Sequence, residues 1–140
     1  MKYLLTPQTP FPPAHEADES GIVAVGGELT FKRLLEAYSL GIFPWPHPDL
    51  PLLWFCPDPR FVLEPKNALI ARSLKKTFRT SKLEIKADHN FLAVMRSCQQ
   101  VKRIGQHDTW ITKEMLRAYS ALHEKGFAHS IEAYEDNNLV

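Results

Sequence analysis

Proline decides where this chain can build regular structure. All 11 prolines fall in two stretches, residues 7–13 and residues 44–65. Each ring locks φ and removes a backbone donor, so both stretches are predicted as loops or short extended pieces. Between them one helix is legible. Thr30 is a good N-cap, residues 31–40 form the body, and Gly41 supplies the stop after the last turn. Leu34, Leu35 and Tyr38 share one face at helical spacing. Residues 1–60 therefore read as a small, proline-braced, aromatic-rich domain.

The pattern changes after Pro65. Ile70, Leu74 and Phe78 recur every four residues and put an apolar stripe on a second helix, over residues 69–79. Residues 83–87 alternate as a strand. Phe91, Val94 and Met95 mark a third helix, opened by Asp88 or Asn90. Thr112 caps a fourth, whose buried face is Met115, Leu116, Tyr119 and Leu122 before Gly126. Residues 129–134 alternate again, with Ile131 and Ala133 on one side. Residues 135–138 are a turn, and Leu139-Val140 reads as the first step of a returning strand. The order helix, strand, helix, helix, strand points to an α/β or α+β second domain over residues 61–140. Its sheet reads as cut short, because two-residue strands do not complete sheets.

Composition narrows the function classes. A formal net charge of +1 excludes an overall polycation, so any nucleic-acid contact must come from a local cluster. The best cluster is Arg72, Lys75, Lys76 and Arg79, at i, i+3, i+4 and i+7, on the helix face opposite Ile70, Leu74 and Phe78. Lys82 and Lys86 extend it. The two cysteines, Cys56 and Cys98, form no C-x-x-C pair, so a zinc ribbon or disulfide framework is unsupported and two buried reduced thiols are expected. His123 and His129 lack the carboxylate spacing of a metal site. Asp58-Pro59-Arg60 reads as a tight turn with a local ion pair. Prolines follow the first five residues at once, so no secretory signal forms, and no apolar run approaches a membrane span. A cytoplasmic protein with no membrane partner is expected.

Several blocks point further. Gly26-Gly27-Glu28-Leu29, Leu34-Leu35-Glu36-Ala37-Tyr38 and Gly41-Ile42-Phe43-Pro44-Trp45 come first. Pro57-Asp58-Pro59-Arg60, Arg72-Ser73-Leu74-Lys75-Lys76 and Thr109-Trp110-Ile111-Thr112 follow, then Ala118-Tyr119 with Leu122-His123, and Gly126-Phe127-Ala128-His129-Ser130-Ile131-Glu132. In this order they resemble the N-terminal part of bacterial leucyl/phenylalanyl-tRNA–protein transferases. Ser20, Cys56 and Asp108 depart from the pattern, where Asn, Ser and Gly are usual.

The resemblance implies a small N-terminal domain followed by the first part of a GNAT-like acyltransferase domain. It implies transfer of Leu or Phe from aminoacyl-tRNA to a protein beginning with Lys or Arg, which marks that protein for N-degron proteolysis. The ester is already activated, so no ATP, metal or redox cofactor is implied. The polar residues assigned to catalysis lie beyond this sequence, so no catalytic residue is carried over, and the chain alone is expected to be inactive. What the reaction needs is orientation of amine and ester and stabilisation of the tetrahedral oxyanion. That calls for an apolar pocket, a stacking surface for the terminal adenosine and cations for the phosphates. Trp45 and Trp110, in loops beside helices, are the candidates for the first two, against simple interior packing. Tyr38 and Tyr119 are further substrate-site candidates, although packing on buried helix faces accounts for them as well. Arg72, Lys75, Lys76, Arg79 and Lys82 are the candidates for tRNA. The rival reading is a non-catalytic tRNA- or RNA-binding adaptor. A small-molecule N-acyltransferase is disfavoured, since no Gly-rich phosphate turn precedes a helix.

Overall fold

A computed structural model describes residues 3–47, 49–101 and 109–140. Asp108, one of the three departures noted above, lies outside the described residues. Among the described residues, two sheets and four α-helices form a mixed α/β architecture.

The first sheet is built from strands that the proline-rich stretches flank. β1 (Tyr3–Leu5) lies parallel to β2 (Ile22–Gly26), with Tyr3 opposite Ala24. β2 pairs antiparallel with β4 (Leu53–Phe55), and β4 pairs antiparallel with β3 (Phe43–Trp45). The spatial order β1-β2-β4-β3 leaves β3 at an edge. Pro44 is tolerated there because an edge strand can do without one amide donor. The chain enters β2 through a side-chain-braced turn, in which Asp18 Oδ1 accepts from the amides of Ser20 and Ile22. Gly21, at φ +78°, completes that turn where a Cβ would lie 2.9 Å from the Pro57 Cα.

α1 (Phe31–Ser39) starts as expected, with Thr30 Oγ1 accepting from the Arg33 amide. Its buried face differs from the expected one. Arg33, Leu34 and Ala37 are buried, whereas Tyr38 is 47% exposed. The reason lies in Arg33. Its guanidinium sits 4.1 Å from the Phe11 ring centre and bonds Glu36 at 2.9 Å, so a cation takes a core-facing position. Its Nε and Nη2 have no partner among the described residues.

Val23, Ala24, Leu34, Ala37, Ile42 and Trp54 form the centre of the core. Trp54 is fully buried, meets Phe11 edge-on at 4.8 Å and donates Nε1–H to the Gly26 carbonyl at 2.9 Å.

The second sheet follows α2 (Arg72–Thr80), which begins three residues later than its apolar stripe predicts. β5 (Glu84–Ala87) pairs antiparallel with β6 (Ile131–Glu135), and β6 with β7 (Asn138–Leu139) through a turn with Asp136 and Asn137 at positive φ. α3 (Phe91–Gln100) is capped by Asn90, which accepts from Ala93, and α4 (Lys113–Glu124) by Thr112, which accepts from Met115. Ala118 and Leu122 of α4 join the same core as Leu34 and Trp54, so α4 ties the two halves together. Burying a leucine in this way stabilises by about 1.5–3 kcal/mol.

One expectation is corrected by burial, and burial also shows which side of β6 faces the core. Cys56 is half-buried and Cys98 is exposed, and both are free thiols, because Cys98 sits on the outer face of α3. In β6 the buried residues are Glu132 and Tyr134, while Ile131 is 73% exposed. Among the described residues no helix is long and apolar enough to cross a membrane.

Candidate functional site

The period of two in the β3–β4 hairpin sorts its aromatic residues onto two faces. Pro44 and Trp54, directly opposite each other in the register, turn into the core. Phe43, Trp45 and Phe55 turn the other way and form a shelf. Phe43 and Phe55 are register partners and stack at 6.1 Å with 25° between planes. Trp45 meets Phe55 at 6.3 Å and Phe43 at 6.5 Å. Trp45 is therefore a strand residue, not a loop residue as its flanking prolines suggest, and 49% of it stays open to solvent.

Trp110 completes the shelf from the other half of the chain. Its ring centre lies 6.0 Å from that of Trp45, with 44° between planes. The backbone that carries it is tightly held. The Thr112 amide donates to the Trp110 carbonyl at 3.1 Å, the Ile111 amide to Thr109 Oγ1 at 3.2 Å, and Gln99 Nε2 to the Ile111 carbonyl at 2.6 Å. Ile111 itself is buried. A cavity of about 490 Å³ opens beside this junction, lined by Gly27, Glu28, Pro46, His47, Leu52 and Thr112. A tilted pair of indoles over a strand-borne aromatic floor is a surface for a flat, partly apolar ligand.

The other candidates are placed elsewhere. Tyr38 and Tyr119 hydrogen-bond each other through their hydroxyls and meet edge-to-face at 6.4 Å. They clamp α1 to α4 and make no ring contact with the shelf among the described residues. Burial first, then the bond from Tyr38, pushes the Tyr119 phenol well above its ordinary range. Arg72, Lys75, Lys76 and Arg79 all stand exposed on α2, and Lys82 follows it, also exposed. Among the described residues none of the five is paired with a carboxylate, so their charge is available to a ligand. Leu74 and Phe78 on the opposite side are 53% and 70% exposed, so the apolar stripe is largely uncovered among the described residues.

Sequence reasoning missed a polar network at the start of β6. Glu132 is 2% exposed and accepts three hydrogen bonds of 2.7 Å, from the Asn90 amide and the Ser130 and Tyr134 hydroxyls. Burial works to raise its pKa, but these donors and the nearby His89 outweigh it and hold the carboxyl below its ordinary value. The available signal was the same period of two. Ser130, Glu132 and Tyr134 share one side of the strand, and a carboxylate flanked by two hydroxyls at ±2 can be satisfied in a core. Beside it, Asp88 at φ 54° accepts from the Ser130 amide at 2.8 Å and pairs with His129 Nδ1 at 2.7 Å. His123 approaches Asp88 at 3.8 Å and stacks on Phe91. Among the described residues no three His, Cys, Asp or Glu side chains converge on a possible metal position.

Comparison with known proteins agrees along almost the whole chain. The model described as leucyl/phenylalanyl-tRNA protein transferase N-terminal domain matches residues 27–58, and that described as leucyl/phenylalanyl-tRNA protein transferase matches residues 62–140. The leucyl/phenylalanyl-tRNA–protein transferase of Myxococcus xanthus is 52% identical over 139 residues, which cover 98% of this chain and 59% of that protein. That of Nitrosospira multiformis is 51% identical, over 93% of this chain and 56% of its own length. That of Syntrophus aciditrophicus is 49% identical, over 93% and 54%. The chain thus spans a little over half the length of these relatives.

Proposed function

This chain belongs to the leucyl/phenylalanyl-tRNA protein transferase family, and on that premise we propose that its aromatic shelf receives the aminoacyl-adenosine end of a Leu- or Phe-tRNA. The observation that carries the proposal is the meeting of Trp45 and Trp110 at 6.0 Å, from residues 65 positions apart. One indole stacks the adenine and the other walls the Leu or Phe side chain. The exposed cations Arg72, Lys75, Lys76, Arg79 and Lys82 receive tRNA phosphates.

The reaction proposed for the whole family-length protein is transfer of the aminoacyl group to the α-amine of a protein that begins with Lys or Arg. That tags the acceptor for degradation in the cytoplasm. The amine attacks the ester carbonyl, the tetrahedral intermediate collapses, and the ribose oxygen leaves with a proton. The residues of this chain hold the ester end rigidly enough for that attack, which is an orientation effect. They do so as a proline-braced domain over residues 1–60 and the opening part of a GNAT-like domain over residues 61–140.

Titration calorimetry with 3′-phenylalanylamido-adenosine tests the shelf directly. Trp45→Ala or Trp110→Ala should each weaken binding about five- to 150-fold, the equivalent of roughly 1–3 kcal/mol per stacked base. Thermal unfolding of the same variants separates binding from folding. Variants that melt far below wild type yet bind as well in the cold would sink the proposal. A purely RNA-binding adaptor, favoured by the unpaired cations of α2, requires instead that tRNA binding survive the loss of both indoles.

A further inference from the structure

Arg60 is not where the turn around Pro59 was expected to put it. Among the described residues it pairs with no carboxylate, Asp58 included. Its Nη2 instead donates to the Gly41 carbonyl at 3.0 Å and to Cys56 Sγ at 3.7 Å. Gly41 lies just before β3 and Cys56 just after β4, so one nitrogen pins the guanidinium to both strands of the hairpin that carries the shelf. The guanidinium carbon lies 5.3 Å from the centre of the Phe43 ring. Phe43 is the shelf's far end, 6.5 Å from Trp45, which is 6.0 Å from Trp110. Cation, phenyl, indole and indole are thus successive neighbours, with Arg60 and Trp45 exposed and Phe43 and Trp110 half-buried.

We propose that Arg60 binds the 5′-phosphate of the nucleotide whose base stacks on Trp45, which makes it a specificity residue for the site. This rests on the shelf reading above. The step from Trp45 to Phe43 is the scale of a ribose, so a base on the indole carries its 5′-phosphate over Phe43 towards the guanidinium. Nη1 and Nε of Arg60 have no partner among the described residues, and Nη1, on the side of the guanidinium away from the Nη2 contacts, keeps both of its N–H donors for a phosphate oxygen. A residue that served only to clamp the hairpin would need the Nη2 contacts and no uncompensated charge. Here the charge is exposed, has no carboxylate partner among the described residues and lies over the Phe43 ring that ends the shelf. Stacking on Phe43 also limits the orientations of the fork, so less freedom is lost on binding.

The test is calorimetric titration of the chain with adenosine and with 5′-AMP, on wild type, Arg60→Gln and Arg60→Lys. Wild type should prefer 5′-AMP by about tenfold, the low end for a hydrogen-bonded charge at an exposed site. The preference should shrink as salt is raised. Arg60→Gln should abolish the preference and leave adenosine affinity within about threefold, and Arg60→Lys should keep part of it. Equal affinity of wild type for the two ligands overturns the Arg60 assignment and leaves the shelf standing. So does an Arg60→Gln variant that keeps the preference, or one that loses adenosine and 5′-AMP equally, as a clamp would. No binding of either ligand by wild type overturns the shelf and Arg60 together.

Discussion

A double-mutant cycle between Trp45 and Trp110 tests the contact on which the site depends. Trp45 is 49% exposed, so its change to Ala uncovers only part of an indole. At about 25 cal/mol per Å² over roughly 125 Å², that costs at most about 3 kcal/mol. Part of that cost is shared with Trp110, because the ring centres lie 6.0 Å apart. Aromatic pairs at this separation couple by about 0.5–1.5 kcal/mol beyond their buried area. With half of one ring in solvent and 44° between planes, the lower half of that range is expected, about 0.5–1 kcal/mol. Urea unfolding of wild type, Trp45→Ala, Trp110→Ala and the double variant measures it. The double variant should be less destabilised than the sum of the singles by that amount. Trp45→Ala with Tyr119→Phe is the control, since those residues share no ring contact among the described residues, and it should be additive. Additivity of the two tryptophans to within about 0.3 kcal/mol would mean that the rings do not meet in solution.

Changing Lys75, Lys76 and Arg79 together to Ala should weaken tRNA binding and flatten its dependence on salt by about 0.7 in logarithmic slope per lost single-strand phosphate contact. Unchanged affinity and slope would make that face a solvated surface. Gly21→Ala should lower stability by about 1–3 kcal/mol in urea unfolding, because the new Cβ meets the Pro57 backbone in a left-handed conformation. A neutral result would remove the steric argument for that turn. Asp88 is held below its ordinary 3.8 and His129 above its ordinary 6.5, each first by their shared hydrogen bond. The carboxylate's contribution is present above about pH 4 and lost on acidification through the lowered pKa, and the imidazolium's is present below about pH 6.5 and lost as pH rises through the raised one. Asp88→Asn should therefore lower the melting temperature most between those limits, less in alkali, where only the carboxylate's own part remains, and least in acid below the lowered carboxyl pKa, and a pH-independent difference would refute the pairing.

The sequence by itself determined the elements whose causes are local. Thr30 and Thr112, and Asn90 of the two candidates Asp88 and Asn90, accept from the third amide beyond them in the structure, as cap residues ahead of an apolar period must. The turn at residues 135–138 and the returning strand were equally legible, because backbone conformation there depends on the residues in it. The family blocks were legible for the same reason, as short runs of contiguous residues. Choices between faces were not. Hydrophobicity along β6 favours Ile131 and Ala133, but the core takes Glu132 and Tyr134, because Asn90, 42 residues away, brings an amide that makes a buried carboxylate tolerable. Prolines around Trp45 argue for a loop, yet pairing of Phe43 with Phe55 and of Trp45 with Leu53 makes it a strand and sets the rings on one side. Arg60 looks like a partner for Asp58 until the hairpin supplies Gly41, Cys56 and Phe43. In each case the deciding energy comes from a partner distant in the chain. Local pattern proposes which side chains are available, and only tertiary contact decides which of them are buried, paired or left open to a ligand.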